Sequence, residues 1–396
     1  MVPKKILFVL SSSLGWRTYQ HQIISVVEGR DDIDADFYIC RPTVPERVLM
    51  YNLPCDPIRR PVDPMFVWGW RLGRWWRQTG RTSGYDAIHV ATQDNALAFA
   101  ELVSCPPLSL AIDITRRAYT QIHSSRKALE AEVRIFRKAG FIAPMSEWAA
   151  RPLVKYYGLD PTRILVTPPS VPITPLDRFR LTSNRASPLP HPATQRQYPM
   201  GGRVGERAGA VNIENGLGAE PVGGATGLVN IAFVGNDFER KGGPELLRLH
   251  QERFRDRARL HILSRRFAGA ERYVNVISHG QIPYDALIDE FLPSMDLFCL
   301  PTNYDMSPWV CVHASVAGLP TVVNLVGGVA ELCLDGETGF VLPPGDRDAL
   351  ARRLSELIDN AELRRTMGRR AHDFAATHLD AQKNYNRLLD RTLDEC

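Results

Sequence analysis

Two short runs hold the residue types best suited to chemistry. In the first, an apolar stretch ends at Val234-Gly235, a loop follows from Asn236 to Glu239, and Arg240 and Lys241 precede Gly242 and Gly243. Two cations beside a glycine pair that opens a helix can neutralise a diphosphate while the backbone comes close to it. The plainer alternative is a solvated basic turn. In the second run, Pro301 to Pro320, a brief apolar strand leads into Asp305, Met306, Ser307, Pro308 and His313. Ser307 reads as an N-cap and Pro308 as the first residue of a helix that Gly318 stops and Pro320 cannot continue. A helix N-terminus facing the end of a strand favours an anion, because its unpaired N–H groups and its dipole point there. Asp113, after the apolar run Leu108–Ile112, places a carboxylate at another strand end. It can take a proton or hydrogen-bond a hydroxyl, or simply close an Asx-turn or cap a helix. Gly15, after the first strand, is a weak sign of close backbone approach. The ten histidines form no H-x-x-x-H pattern and no Cys/His cluster, so no metal is expected. No G-x-S-x-G run supports a hydrolase triad.

These residues need strands and helices to place them. Short apolar runs alternate with helical periods, which is the pattern of parallel sheets with crossover helices. Expected strands in the first half are 5–10, 36–40, 87–90, 108–112, 140–144 and 164–167. In the second half they are 229–234, 260–263, 274–277, 297–300, 321–324 and 339–342. Each half reads as a doubly wound sheet of the Rossmann type. The expected division is an N-terminal domain over 1–175, a flexible linker or insertion over 176–228, and a C-terminal domain over 229–378. A last helix over 379–396 crosses back to the first domain. The linker reading rests on a stretch rich in Gly, Pro, Ser and Ala with no apolar period.

At 396 residues, 44% hydrophobic and 23% charged, the chain is a two-domain globular protein. A net charge of +4 is too small to point to nucleic acid, but it suits anionic small molecules or a membrane surface. The seven cysteines contain no C-x-x-C pair and read as free thiols of a reducing compartment. The expected place is the cytoplasm, with the inner face of the membrane as a further option.

The second half resembles the C-terminal domain of family-4 retaining glycosyltransferases (glycosyl transferases group 1), which have the GT-B fold. Gly235, Lys241-Gly242, Pro301-Thr302, Asp305, His313-Ala314 and Gly318 to Val322 follow the order of that family's pattern. So do Gly327-Gly328 to Glu331, Asp335-Gly336 to Gly339, and Pro344 to Asp346. In the first half Tyr85-Asp86 to His89 and Ala143 to Trp148 match more loosely. The resemblance implies two Rossmann-like domains facing a cleft, with a nucleotide-sugar donor on the second and a glycan, lipid-linked or small-molecule acceptor on the first. It implies that Lys241 and Arg240 stabilise the leaving diphosphate, Asp305 orients the donor sugar, and no cofactor or metal is needed. Gly15, Asn236, Met306, Ser307, Pro308 and His313 complete the implied donor site, and Asp113, Lys241 and Asp305 the implied catalytic set.

Three positions depart from the family pattern. His313 replaces a carboxylate that accepts from the ribose hydroxyls, and imidazole can accept only one hydrogen bond. Asn236 replaces an arginine beside the diphosphate. Asp113 falls where a histidine is usual. These losses motivate an alternative of another class, a catalytically silent GT-B protein that binds glycan or a partner enzyme. One further segment is unusual: Trp68, Leu72, Trp75 and Trp76 share a helical face opposite Arg74, Arg77 and Arg81. Such a helix can lie on a bilayer or pack its Trp face on a sheet.

Overall fold

The computed structural model describes residues 2–46, 63–80, 83–118, 124–176 and 227–396. The N-terminal half is a five-stranded parallel sheet in the order β2-β1-β3-β4-β5, with β1 Lys4–Ser11, β2 Ile33–Cys40, β3 Ala87–Ala91, β4 Leu108–Ile112 and β5 Phe141–Pro144. Helices α1 (Leu14–Val27), α2 (Pro64–Gln78), α3 (Gln93–Ala100), α4 (Arg126–Lys138) and α5 (Glu147–Tyr157) cover it. The strands form because both faces are buried: Ile6 through Leu10 are all at most 1% exposed, so an unbroken apolar run replaces alternation.

The C-terminal half is a six-stranded parallel sheet in the order β11-β10-β9-β6-β7-β8. Its strands are β6 Val229–Val234, β7 Ala258–Leu263, β8 Val276–Ser278, β9 Leu297–Leu300, β10 Thr321–Asn324 and β11 Gly339–Leu342. The helices used below are α6 (Gly243–Leu249), α7 (Trp309–Val316), α8 (Arg347–Asp359), α9 (Ala361–His378) and α10 (Ala381–Asp394). The last of these packs on the N-terminal half. Tyr385 meets Tyr19 of α1 edge-on at 5.5 Å, and Asp390 accepts from Arg30 Nη1 at 2.7 Å.

Two expectations need correction. The stretch 164–167 is not a strand. It makes one isolated bridge, Ile142 to Ile164, with Leu165 N–H donating to Ile142 O and Thr167 N–H to Pro144 O. A 3-10 turn over Pro161–Arg163 precedes it and Pro168-Pro169 follows, so no regular ladder can extend. The other correction concerns Ser307. The helix after β9 starts at Trp309, with Pro308 in the cap position at φ −72°, ψ 107°, and no side chain caps it. The expected linker, 176–228, lies outside the described residues except at its ends.

The tryptophan stripe of α2 faces the protein. Trp68, Leu72 and Trp76 are buried with Leu97 and Phe99 of α3, and Trp75 sits 4.9 Å from the Tyr38 ring. Of the helix's tryptophans only Trp70 is exposed, with the Arg74 guanidinium over its ring at 5.9 Å. Arg81 lies outside the described residues. Among the described residues no helix is long and apolar enough to cross a membrane.

Candidate functional site

In an open parallel sheet, ligands bind beyond the carboxyl ends of the strands where the strand order reverses. In the C-terminal sheet that point lies between β6, which proceeds to β7 and β8, and β9 on its other side. The loops leaving these two strands carry the two runs singled out above, and they are locked together. Gly242 has φ +80°, and a Cβ there would lie 2.0 Å from Pro301 O. Only glycine allows that approach. Asn303 N–H donates to Arg240 O at 3.1 Å, and Arg240 Nη1 donates to Tyr304 O. The zipped loops bring Lys241 Nζ onto the Asp305 carboxylate, both side chains being largely buried at 13% and 12% exposure.

Arg240 is more open and pairs with Asp237 at 3.5 Å. Asn236 is exposed at the start of the loop. Met306 N–H donates to its neighbour Asp305 Oδ1 at 3.0 Å. Ser307 is buried and its hydroxyl has no partner, an orphan donor beside the start of α7. Pro308 lacks an N–H, so the first helical N–H groups at this end belong to Trp309 and Val310.

The N-terminal half closes on the same place. Gly15, in the first turn of α1, lies against the Trp309 indole, and a Cβ there would come within 3.1 Å of Cδ1. Helices α1 and α7 thus begin within contact of each other. Asp113, at the end of β4, is half-buried, and desolvation pushes its carboxyl up to about 6, with Asp94 and Asp305 adding negative charge. Asp113 thus feels the charge of Asp305 from the other half.

Behind Asp113, Glu132 is fully buried, and burial pushes its carboxyl up to about 7. It accepts from the Arg116 backbone N–H at 3.0 and 3.2 Å, from Gln93 Nε2 at 3.3 Å and from the Tyr157 hydroxyl. The Arg116 guanidinium binds Asp63 through both terminal nitrogens, at 2.7 and 2.9 Å, and also Asp94. The loop that carries Asp113 is therefore clamped from α3, α4, α5 and the start of α2.

His313 is the placement that differs most from expectation. It lies buried on α7, its Nε2 is 3.2 Å from the Tyr284 hydroxyl, and the two rings meet edge-on at 5.3 Å. Burial pushes its pKa down to about 4, so the imidazole stays neutral where an exposed histidine would titrate.

Two features of the cleft go beyond what the sequence assigned: Thr92 carried no signal, and Glu331, which ends the glycine-pair motif, carried no role. Thr92, at the end of β3, has φ +74°, a conformation that a β-branched residue adopts only under strain, and such strain gathers at functional sites. Glu331 places both carboxylate oxygens on the start of α5: Glu147 N–H donates to Oε2 and Trp148 N–H to Oε1, each at 2.7 Å. Among the described residues no group of three His, Cys, Asp or Glu side chains could hold a metal ion.

Comparison with known proteins places this geometry. The glycosyl transferases group 1 family matches residues 230–374, the stretch that contains Lys241, Asp305, α7 and Glu331. Residues 230–374 are a glycosyl transferases group 1 domain. The capsular polysaccharide biosynthesis glycosyltransferase CapM of Staphylococcus aureus is 32% identical over 78 residues, which is 20% of each chain. The matched stretches span only 20%, 25% and 30% of three curated relatives' own lengths.

Whole-chain likeness comes from solved structures. Sucrose-phosphate synthase from Thermosynechococcus elongatus superposes with a TM-score of 0.71 at 16% identity, covering 98% of this chain and 99% of that one. HepE of Anabaena, solved in complex with UDP, has a TM-score of 0.65 at 16% identity, covering 99% and 100%. The chain therefore has the GT-B fold, with the glycosyltransferase domain as its C-terminal half.

Proposed function

We propose that this protein is a retaining glycosyltransferase that moves a sugar from a nucleotide-sugar to a glycan, lipid-linked or small-molecule acceptor. The observation that carries the proposal is the Lys241–Asp305 pair, held at the strand-order reversal of the glycosyltransferase domain and facing the start of α7. A diphosphate there would meet Lys241, Arg240, the Ser307 hydroxyl and the Trp309 and Val310 N–H groups. All of these favour negative charge, and that charge grows as the bond from the sugar's anomeric carbon to the phosphate oxygen breaks. On binding, Lys241 Nζ would share its donors between Asp305 and phosphate, and Asp305 would then hold a donor-sugar hydroxyl.

The acceptor hydroxyl attacks the anomeric carbon from the side the diphosphate leaves. Its oxygen bonds to that carbon, and its proton passes to the departing phosphate oxygen. Asp113, held partly protonated near neutrality, faces that event from the acceptor wall and would hydrogen-bond the acceptor or the sugar. The silent alternative finds no support: the matched domain is that of a transferase family.

UDP-glucose is the first donor to test, because HepE has been solved with UDP-glucose and shares the fold. Calorimetric titration with UDP-glucose, UDP and a GDP-sugar is expected to give binding to one nucleotide class. Absence of binding to any would sink the donor assignment. Where UDP-glucose binds, His313→Gln is expected to leave the pH dependence of its affinity between 5.5 and 8 unchanged, because His313 is neutral throughout and is already bonded to Tyr284. A change of affinity centred near pH 6.5 that this substitution abolishes would show that His313 titrates as an exposed histidine does.

Peripheral membrane contact at the cytoplasmic face belongs to the same proposal only through the exposed rim of α2, where Trp70, Arg74 and Arg77 are open to solvent. Co-sedimentation with vesicles rich in anionic lipid is expected to fall for Trp70→Ala combined with Arg74→Ala. Equal sedimentation of wild type and variant would remove α2 from the reading.

A further inference from the structure

We propose that Glu331 is a positioning residue: it grips the start of α5 across the cleft and, through Gly327 and Gly328, sets the backbone at Asp305 and Met306. The inference rests on the reading of that loop as the donor site, but its first test does not.

The physical chain is short. A carboxylate accepting two backbone N–H groups at 2.7 Å at a helix start is a charge-assisted contact that also meets the favourable end of the helix dipole. The hydroxyl of Ser146 already caps Ala149 N–H, so Glu331 satisfies the next two orphan donors of α5. The partners belong to different domains, 184 and 183 residues apart, so the contact exists only when the halves are closed.

On its own side, Glu331 belongs to a 3-10 turn over Val329–Leu332, and the glycine pair just before that turn is wedged between two surfaces. Gly327, at φ +53°, has room for no Cβ, which would lie 1.9 Å from Asp305 O. At Gly328 a Cβ would lie 2.6 Å from Met306 O and 2.8 Å from the Ser146 side chain. Gly328 N–H also donates to Met306 O at 2.8 Å. Movement of α5 is therefore passed through Glu331 and two glycines to the peptide that carries Asp305. The donor site would reach its working geometry only when the acceptor domain has docked.

The test uses hydrogen exchange on the ligand-free protein, read in peptides covering residues 301–309. Glu331→Gln leaves one acceptor oxygen where there were two. Glu147→Pro removes one of the two donors, leaving Trp148 N–H, without touching Glu331. Glu147 is the first helical residue of α5, a position that accepts proline, and Ser146 before it is already extended at φ −162°, ψ 160°. Glu147→Ala, which keeps the N–H, controls for loss of the exposed side chain.

Each of Glu331→Gln and Glu147→Pro is expected to speed exchange at 301–309 by about tenfold, the effect of losing roughly one net hydrogen bond of this kind. The double variant should do no more than either alone, because both cut the same link. Unchanged exchange at 301–309 in both single variants would overturn the proposal, as would full additivity. A second measurement ties the latch to catalysis: with a donor in hand, both variants should lower kcat and weaken donor binding, while Glu147→Ala changes neither. If exchange responds and no donor is ever turned over, the latch stands and the transferase reading falls.

Discussion

Lys241→Ala is expected to lower sugar transfer by about 10²–10³-fold, the scale of removing one donor aimed at charge that develops in a transition state. Lys241 is mostly removed from water, so its field on a neighbouring phosphate is weakly screened. Its loss also leaves the Asp305 charge buried without a cation, which by itself would destabilise the fold by about 3 kcal/mol. The two effects separate through Asp305→Asn. That change removes the carboxylate charge, keeps the shape and leaves Lys241 free for phosphate. If pairing alone mattered, both variants would melt lower and both would lose activity in step. If Lys241 serves the diphosphate, Lys241→Ala should be far more damaging to turnover than to melting temperature. Lys241→Arg should rescue little, because a planar fork cannot fill the place of a compact ammonium between two zipped loops. Turnover near wild type in Lys241→Ala would move the diphosphate elsewhere in the cleft.

What the sequence disclosed follows from how local its causes are. Parallel strands buried on both faces are unbroken apolar runs, so Ile6–Leu10 and Val229–Val234 announce themselves. The run at 164–167 looked the same, but two prolines after it stop the ladder. Lys241 and Asp305 were legible because each follows a strand and precedes a helix, and a strand–loop–helix order in a doubly wound sheet fixes which edge the loop occupies. The cap at Ser307 misled because a proline at 308 can sit on either side of a helix start, and here its ψ of 107° keeps it outside.

The face of α2 was visible on a helical wheel, which shows that a stripe exists but not what covers it; helix α3 and the Tyr38 ring of β2 do. Glu331 and its two N–H partners lie in different domains, and no local pattern links a glycine turn to a helix start so far away. The state of His313 was equally hidden. Its depressed pKa comes from burial and its partner is Tyr284, neither of which is written near position 313.

The same burial sets an expected acid limit for the whole fold. His89 sits between the Tyr19 hydroxyl at 2.7 Å and Ser109 Oγ at 2.8 Å, and burial pushes its pKa down to about 3. His261, stacked on His279 with nitrogens 3.0 Å apart, is held down to about 3, first by burial and then by its neighbours' charge. Burial holds His279 and His313 down to about 4. In the unfolded chain each would titrate near 6.5. Between pH 6.5 and 4 the unfolded state therefore binds more protons than the folded one, and stability falls as pH falls.

By pH 5 each histidine costs about 2 kcal/mol relative to pH 7, roughly 7 kcal/mol for the four. Asp113 and Glu132 act in the opposite sense. Their carboxyls are raised to about 6 and about 7, so the folded state gains protons first and is favoured as the solution is acidified. That returns about 3 kcal/mol over the same interval. The histidines win by about 4 kcal/mol, and a melting point lower at pH 5 than at pH 7 by roughly 5–10 °C is expected for a chain of this size. Glu132→Gln should steepen the fall, since it removes one of the two groups that oppose it. Melting points that stay level between pH 7 and 5 would mean that the imidazoles find water or charge partners on protonation, and that none of the four is held neutral by its surroundings.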